Sequence, residues 1–307
     1  MPLHQLTSVT IGVPDVGPTA DYYAQFGLAD LGDGTFATID GGPQLRIVPA
    51  PTRRLIDLTV GADDADDLER VAARLARLGL TPAREDGAVH AVEPVAGFKA
   101  TVAVCPRLEQ PPGDPTPYNG PGRPERPDGR APGLLRDDPV RPLKLGHVVI
   151  GSTDYAATSR FFTEGLGFKA SDYIKDAAAF LRCSTDHHNV LVLGSPVNFL
   201  HHTSWQVEDV DEIGRGACAM LEGHPERHVW GLGRHYAGSN FFWYLKDPAG
   251  SFSEYYSDMD CIIDDQLWTP ETLEGARGLF NWGPPPPPSF LHPEDLAALM
   301  TGAHAPA

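Results

Sequence analysis

The sequence predicts an α+β fold built from four repeated units, each made of a β-strand, an α-helix and further strands. Two observations predict it. A strand pattern followed by a helical pattern occurs four times, and a segment rich in Pro and Gly separates the second occurrence from the third. At 307 residues the chain is long enough for two domains, each burying a core of its own. We therefore expect two units in each half of the chain.

The four strand patterns begin at Leu6, Arg54, Leu145 and Phe199. Each is followed by apolar residues at helical spacing and by a Gly near the end of the helical stretch. These stretches read PTADYYAQFGL, DADDLERVAARLARLGL, DYAATSRFFTEGLGF and VDEIGRGACAMLEG. Short apolar runs such as AAFLRC and NVLVLG predict the further strands.

Two proline-rich segments divide the chain. The segment from Pro106 to Pro142 has almost no apolar periodicity, which predicts a linker. The block from Pro284 to Pro288 favours an extended polyproline segment lying over the surface. We expect an N-terminal domain over residues 1–105, a linker over 106–141, a C-terminal domain over 142–260, and a tail over 261–307 packed on that second domain.

Composition excludes several classes of protein. A formal net charge of −17 argues against a nucleic-acid partner, because phosphate binding depends on clustered Lys and Arg. The four cysteines lie far apart without a CxxC spacing, so neither a zinc knuckle nor a disulfide framework is indicated. The N-terminus lacks the pattern of a signal peptide, and no stretch reaches the roughly 18 apolar residues of a membrane span. We expect a soluble, cytoplasmic protein.

The repeat allows residues to be compared within one sequence. Three residues of the second half could bind a metal, whereas their counterparts in the first half form no such set. The pairs are His147 with Ser8, His202 with Asp57, and Glu254 with Ala100. Two imidazoles and one carboxylate from separate strands leave three positions of an octahedral metal open, which suits Fe(II) and O2. The sequence therefore predicts a metal site in the second half alone.

The alternation of side chains along a strand bears on which histidine binds. His147 shares a face with Val149, so it can point into a cavity. His201 and His202 are consecutive and must point to opposite faces. We choose His202 as the ligand because it occupies the position that the repeat indicates. His201 is then expected at the rim of a pocket or at the surface.

The run GLGRHYAGSNFFWYLKDPAGSFSEYYSD resembles the signature of the type I extradiol dioxygenases, which belong to the vicinal oxygen chelate superfamily. In that signature a His is followed by an apolar residue and Tyr, then by Asp-Pro-x-Gly and a metal-binding Glu. The corresponding residues here are His235, Trp243 and Tyr244, Asp247 to Gly250, and Glu254. Trp243 departs from the aliphatic residue or Phe that is usual there. The segments LGHVVIGSTD and LHHTSW resemble those that supply the two His ligands.

This resemblance implies four βαβββ modules paired into two half-barrel domains, with the metal in the C-terminal one. It implies that His188 is an acid–base catalyst, and that His235 and Tyr244 contact and help to activate a catechol-type substrate, with His201 as a further substrate contact. The implied cofactor is Fe(II), with Mn(II) as an alternative, and O2 is the second substrate. The implied reaction is cleavage of the aromatic ring next to the diol. Members of this family commonly form homo-oligomers.

Two other classes stay open. A non-redox metalloenzyme of the same superfamily, such as a glyoxalase-like isomerase using Zn, Ni or Co, would need more carboxylate ligands than Ser8, Asp57 and Ala100 offer. A metal-free binding module of the antibiotic-resistance type has no need for a complete ligand set. The sequence does not distinguish a monocyclic catechol from a biaryl diol.

Overall fold

The four predicted units are present, and each consists of one strand, one helix and three further strands. A computed structural model describes residues 2–302. The elements of the first half are β1 (Leu3–Val13), α1 (Val16–Gln25), β2 (Ala29–Gly32), β3 (Thr35–Thr38), β4 (Gly42–Pro49), β5 (Arg54–Ala62), α2 (Ala65–Arg77), β6 (Ala83–Glu85), β7 (Ala88–Val92) and β8 (Lys99–Val104). Those of the second half are β9 (Lys144–Ser152), α3 (Tyr155–Arg160), β10 (Lys169–Ile174), β11 (Ala178–Arg182), β12 (Val190–Gly194), β13 (Phe199–Gln206), α4 (Val210–Leu221), β14 (His228–Arg234), β15 (Phe241–Lys246) and β16 (Phe252–Ser257).

Within residues 2–302 the strands form two mixed sheets, one for each half of the chain. Their orders are β2-β3-β4-β1-β5-β8-β7-β6 and β14-β15-β16-β13-β9-β12-β11-β10-β17, in which β17 is the tail strand Glu271–Leu273. In both sheets the first strands of the two units pair antiparallel at the centre, and each also pairs parallel with the last strand of its own unit. The predicted α+β class and its four modules are confirmed. The centre of the second sheet therefore brings β9, β13 and β16 side by side.

Acidic residues begin three of the helices. The side chains of Asp64, Asp154 and Asp209 each accept a hydrogen bond from a backbone N–H in the first turn of α2, α3 and α4. The longest of these, α2, has 13 residues. Among residues 2–302 no helix combines the length and the apolar character that a membrane crossing needs.

The third helix is shorter than its pattern predicts. It ends at Arg160, and a π-helical turn, Phe161–Leu166, follows. The rings of Phe161 and Phe162 are buried and lie 6.3 and 5.9 Å from the ring of Phe98 in the first half. The wider turn directs both rings to the same aromatic cluster, and Gly167 ends it in the left-handed conformation at φ 93°.

Helix α1 of the first half packs behind the central strands of the second sheet. The Tyr22 hydroxyl lies 2.5 Å from the Ser253 hydroxyl, and the Tyr23 hydroxyl lies 3.4 Å from that of Thr203. The Tyr255 hydroxyl donates to the backbone oxygen of Phe26, and their rings stack at 3.8 Å. Ser253 and Thr203 are neighbours of Glu254 and His202 in sequence. The first half of the chain therefore supports the strands that carry these two candidate ligands.

The tail contacts both halves of the chain. Its elements are β17 (Glu271–Leu273), α5 (Pro288–Leu291) and α6 (Leu296–Gly302). β17 extends the second sheet by pairing parallel with β10, and Phe290 is buried against Phe252, Tyr244 and Trp230. In the first half, Nε and Nη2 of Arg53 donate to both carboxylate oxygens of Asp295, each at 2.8 Å. The division of the chain at residues 105, 141 and 260 stays a prediction.

Candidate metal centre

His147, His202 and Glu254 lie on three adjacent strands and share one face of the second sheet. Ser204 of β13 pairs with His147 of β9 on one side and with Glu254 of β16 on the other. His202 lies two residues before Ser204 on β13 and so points to the same face. Gly146 makes room beside the site, because a Cβ there would lie 2.2 Å from the Tyr256 hydroxyl oxygen.

The three potential ligand atoms form a small buried triangle. Nε2 of His147 lies 2.9 Å from Oε2 of Glu254 and 3.3 Å from Nε2 of His202, and the third side measures 3.6 Å. All three residues are buried. Ligand bonds of about 2.0–2.2 Å meeting at right angles place two ligand atoms roughly 3 Å apart. The triangle therefore has the size that one metal ion requires, and it is the one such group found among residues 2–302.

Electrostatics favour the protonation states that a metal ion needs. Burial, with help from the neighbouring His201 and His147, lowers the pKa of His202 well below its ordinary value. Burial alone would raise the pKa of Glu254, but the adjacent His147 and His235 lower it, and the net shift is downward. A neutral imidazole and an ionised carboxylate are the forms that bind cations.

His201 lines a pocket, which is one of the two places that the sequence predicts for it. It is neither at the surface nor beside the ligand triangle: it is buried at 4% exposure, and it lines a separate cavity of about 410 Å³ beneath the tail. Its Nε2 lies 2.7 Å from the backbone oxygen of Phe290, and its Nδ1 lies 2.7 Å from Nδ1 of His202. Both ring nitrogens are thus engaged away from the triangle. A substrate contact through His201 stays a prediction, and the bond between the two Nδ1 atoms places His201 to orient His202.

The direction of these hydrogen bonds fixes the tautomer of His202. A carbonyl oxygen only accepts, so Nε2 of His201 carries the hydrogen and its Nδ1 has the lone pair. Nδ1 of His202 must then donate to His201, which leaves Nε2 of His202 with its lone pair directed to the triangle. Ligating histidines generally bond a second residue through the other nitrogen in this way.

A second pair of adjacent histidines lies on the opposite side of the triangle. The ring of His188 lies 4.3 Å from that of His147, and burial lowers its pKa well below the ordinary value. Nδ1 of His188 is 3.1 Å from Nδ1 of His187, and Nε2 of His187 is 3.0 Å from Oδ2 of Asp172. His188 thus lies beside the candidate ligand His147, whereas His187 is directed to Asp172.

His235 and Tyr244 lie on the third side of the site. Nε2 of His235 is 2.9 Å from the Tyr244 hydroxyl and 3.8 Å from Oε1 of Glu254. Burial, followed by the charge of Glu254, raises the pKa of Tyr244 well above its ordinary value, so the side chain remains a phenol. The sequence prediction omitted Asn240, which is fully buried and donates to Oε1 of Glu254 at 3.2 Å. Its position inside the signature run is the signal that could have identified it.

A cavity of about 550 Å³ has His235 among the residues that line it. Asp172 and Trp268 lie on its wall together with Arg234, whose guanidinium is paired with Asp258 at 2.6 Å. The cavity therefore adjoins the site at His235. It is also linked to the site by the hydrogen bonds from Asp172 through His187 to His188.

Strand register corrects one of the repeat comparisons. Asp57 pairs with Lys99 just as His202 pairs with Phe252, so the counterpart of Glu254 is Thr101 and not Ala100. The turn EPVAG in the first half is one residue longer than DPAG in the second, and this shifts the count by one. In the first half the Lys99 ammonium lies 2.9 Å from the Asp57 carboxylate.

The chain is similar to known proteins over both its sequence and its fold. Residues 144–255 match the family model of the Glyoxalase/Bleomycin resistance protein/Dioxygenase superfamily. Metapyrocatechase 2 of Cupriavidus necator is 35% identical over 170 residues, which cover 54% of this chain and 52% of that protein. The manganese-dependent 2,3-dihydroxybiphenyl 1,2-dioxygenase of Geobacillus genomosp. 3 is 28% identical over 157 residues, 47% of this chain and 50% of that protein. The chain thus spans about half the length of these two relatives.

Among solved structures, the Mn(II)-bound glyoxalase from Novosphingobium aromaticivorans superposes with a TM-score of 0.71 at 25% identity. The superposition covers 93% of this chain and 95% of that one. The four-module architecture is therefore shared over nearly the whole length of both chains. The resemblance of the second half to the vicinal oxygen chelate superfamily is confirmed.

Proposed function

We propose that this protein is an extradiol dioxygenase, which opens the ring of a catechol-type aromatic diol with O2. One observation carries the proposal: a buried triangle of two imidazoles and one carboxylate has three further polar side chains, His188, His235 and Tyr244, around it. The relatives named metapyrocatechase and dihydroxybiphenyl dioxygenase support the same reaction class. We propose a small aromatic diol as the substrate, and self-association into a homo-oligomer stays a prediction.

The donor set fits Fe(II), and it fits Mn(II) equally. His147 and His202 would supply imidazole nitrogens and Glu254 a carboxylate oxygen, at the mutual distances given above. A metal held by these three residues would have room for a bidentate diol and for O2. The bound metal would supply the electron transfer that allows O2 to react with the ring.

The residues of the chain bind and orient the substrate and move its protons. Tyr244 donates its hydroxyl hydrogen to Nε2 of His235, whose Nδ1 donates to the backbone oxygen of Leu279. This arrangement holds a phenol and an imidazole where a diol oxygen can exchange hydrogen bonds with either. His188, on the other side of His147, is placed to take up a proton from the diol and to return it later. The buried walls exclude water from the triangle.

A second candidate is a non-redox metalloenzyme acting as a glyoxalase-like isomerase. The observation that favours it is the superposition with the Mn(II)-bound glyoxalase, which matches the whole fold at a TM-score of 0.71. An isomerase of this kind would not consume O2, and the assay below therefore separates the two. A binding module without metal has no use for the complete ligand triangle.

The test is reconstitution followed by a combined assay. The protein is purified without oxygen and loaded with Fe(II) or Mn(II). Catechol and 2,3-dihydroxybiphenyl are then added in air, while O2 uptake and visible absorbance are recorded together. We expect a yellow product and consumption of one O2 for each diol with at least one substrate. Glu254→Gln should abolish both signals, whereas replacing the exposed His224 by Ala should change neither. Metal binding without O2 uptake would overturn the proposal.

A further inference from the structure

Asp172 and His187 form a buried pair behind His188. Asp172 lies on β10 and is 5% exposed, and His187 is fully buried. Neither touches the ligand triangle. Instead they form a series of hydrogen bonds that ends at His188. Asp172 bonds Nε2 of His187, and Nδ1 of His187 bonds Nδ1 of His188. The inference rests on the proposed function, because it assigns a role within that site.

The tail holds Asp172, the first residue of this series of hydrogen bonds, in place. Asp172 pairs with Glu271 of β17 in the parallel register of the two strands. The backbone N–H of Glu271 donates to Oδ1 of Asp172 at 2.8 Å, so Oδ2 is left for His187. The rings of Trp268 and Phe180 lie against His187, at 5.3 and 5.8 Å between centroids. These contacts leave the imidazole of His187 little freedom to rotate.

The direction of each hydrogen bond follows from the chemistry of its acceptor. An ionised carboxylate only accepts, so the hydrogen of a neutral His187 is on Nε2 and its Nδ1 has the lone pair. Nδ1 of His188 must then donate to His187, and Nε2 of His188 has no hydrogen. The pair His201 and His202 shows the same arrangement, with the Phe290 carbonyl in the place of the carboxylate.

We propose that Asp172 and His187 are positioning residues that hold His188 in the tautomer whose Nε2 accepts a proton. They do not take part in the transfer themselves. A diol hydroxyl gives its proton to Nε2 of His188, and the positive charge that forms on that ring is stabilised through His187 by the Asp172 carboxylate. The reverse tautomer would present an N–H to the diol and could accept nothing.

The tautomer can be read directly in the full-length wild-type protein. Long-range proton–nitrogen spectra of protein labelled with 15N histidine, in the metal-free and Zn(II)-loaded forms, distinguish a protonated from a bare ring nitrogen. We expect Nδ1 of His188 and Nε2 of His187 to carry the hydrogens. A doubly protonated His187, or a hydrogen on Nε2 of His188, would overturn the proposal. This readout needs no activity, so it remains decisive even if ring cleavage is not found.

The variant Asp172→Asn tests the functional part. The amide can donate to Nε2 of His187, which moves the hydrogen of His187 to Nδ1 and that of His188 to Nε2. We expect this exchange in the spectra and a fall in kcat of roughly 100-fold, with KM nearly unchanged and full metal content. Asp172→Glu keeps a carboxylate and should recover part of the lost kcat. Glu274→Gln, a carboxylate-to-amide change at the end of β17 that affects only a surface pair with Lys175, is the matched control.

The following outcomes decide whether Asp172 and His187 position His188. Unchanged kcat together with an unchanged His188 tautomer in Asp172→Asn would contradict the proposal. If that variant fails to fold, as circular dichroism would show, the wild-type spectra alone decide. If the wild-type protein shows the expected tautomers but no ring cleavage, the proposed function fails and the positioning of His188 stands.

Discussion

Nδ1 of His201 and Nδ1 of His202 lie 2.7 Å apart, although the two residues are consecutive on β13. Side chains of consecutive strand residues leave the sheet on opposite faces, so a bond between their rings requires both to turn toward the strand. His202 thereby directs Nε2 to the ligand triangle while His201 bonds the tail at Phe290. The tail is coupled to a candidate ligand through one imidazole.

We predict graded losses of metal affinity at these two positions. His202→Ala should abolish stoichiometric binding, because one of three ligands is removed. His201→Ala should keep the site but weaken it by about 10- to 100-fold, since the orienting partner is lost. Equilibrium dialysis against Fe(II) without oxygen measures both. The exposed His224→Ala serves as the control, and an unaltered dissociation constant in His201→Ala would show that the orienting bond is dispensable.

Asp247 makes stability depend on pH near neutrality. Burial raises its pKa to about 7 from the ordinary 3.8, although Arg53 acts in the opposite direction. An acid with a pKa raised by folding binds more protons in the folded state, so the free energy of unfolding falls as pH rises between these two values and stays low above pH 7.

Asp247→Asn should therefore reduce the loss of unfolding free energy between pH 5 and pH 8 by about 2–3 kcal/mol. Urea denaturation at the two pH values gives this difference. Asp137→Asn replaces an exposed carboxylate and should retain the pH dependence of the wild type. An identical pH dependence in Asp247→Asn and the wild type would mean that Asp247 is ionised across this range.

The ion pair between Arg53 and Asp295 attaches the tail to the first half of the chain. Arg53 is 4% exposed, so neutralising Asp295 leaves a buried guanidinium supported by the Leu200 carbonyl and the Phe199 ring. We expect Asp295→Asn to lower the free energy of unfolding by about 1–3 kcal/mol and to speed proteolysis of the tail. Glu294→Gln, which breaks the exposed pair with Lys246, should cost under about 1 kcal/mol. Equal effects of the two variants would count against a special role for Arg53.

Tyr22→Phe tests the support that α1 gives to β16. The change leaves the buried Ser253 hydroxyl without its partner, and we expect a loss of about 1–2 kcal/mol in the free energy of unfolding. Tyr118→Phe removes a hydroxyl from an exposed tyrosine and should be neutral. Thermal unfolding compares the two, and equal melting temperatures would show that the hydroxyl pair between the halves contributes nothing.

Local pattern was enough to predict the modules and to choose among the histidines. Strand alternation separates His201 from His202, and the repeat identifies His147, His202 and Glu254 as a set. The roles of Asp172 and His201 could not be predicted from local pattern, because they depend on pairing between distant segments. Asp172 reaches His187 because β17 joins the edge of the sheet, and the tail carbonyl of Phe290 gives His201 its role. The turn before β8 is one residue longer than the turn before β16, and counting along the sequence without the strand register does not detect this. Thr101 was therefore missed as the counterpart of Glu254.

The contacts of α1 bear on whether the chain can be divided. Tyr22, Tyr23 and Phe26 cover the back of the strands that carry Glu254 and His202, and they fill space that water would otherwise enter. A fragment made of the second half alone would keep every candidate ligand yet expose Trp205 and Tyr255, two of the largest buried side chains. The first half is therefore part of the smallest fragment that can be expected to work.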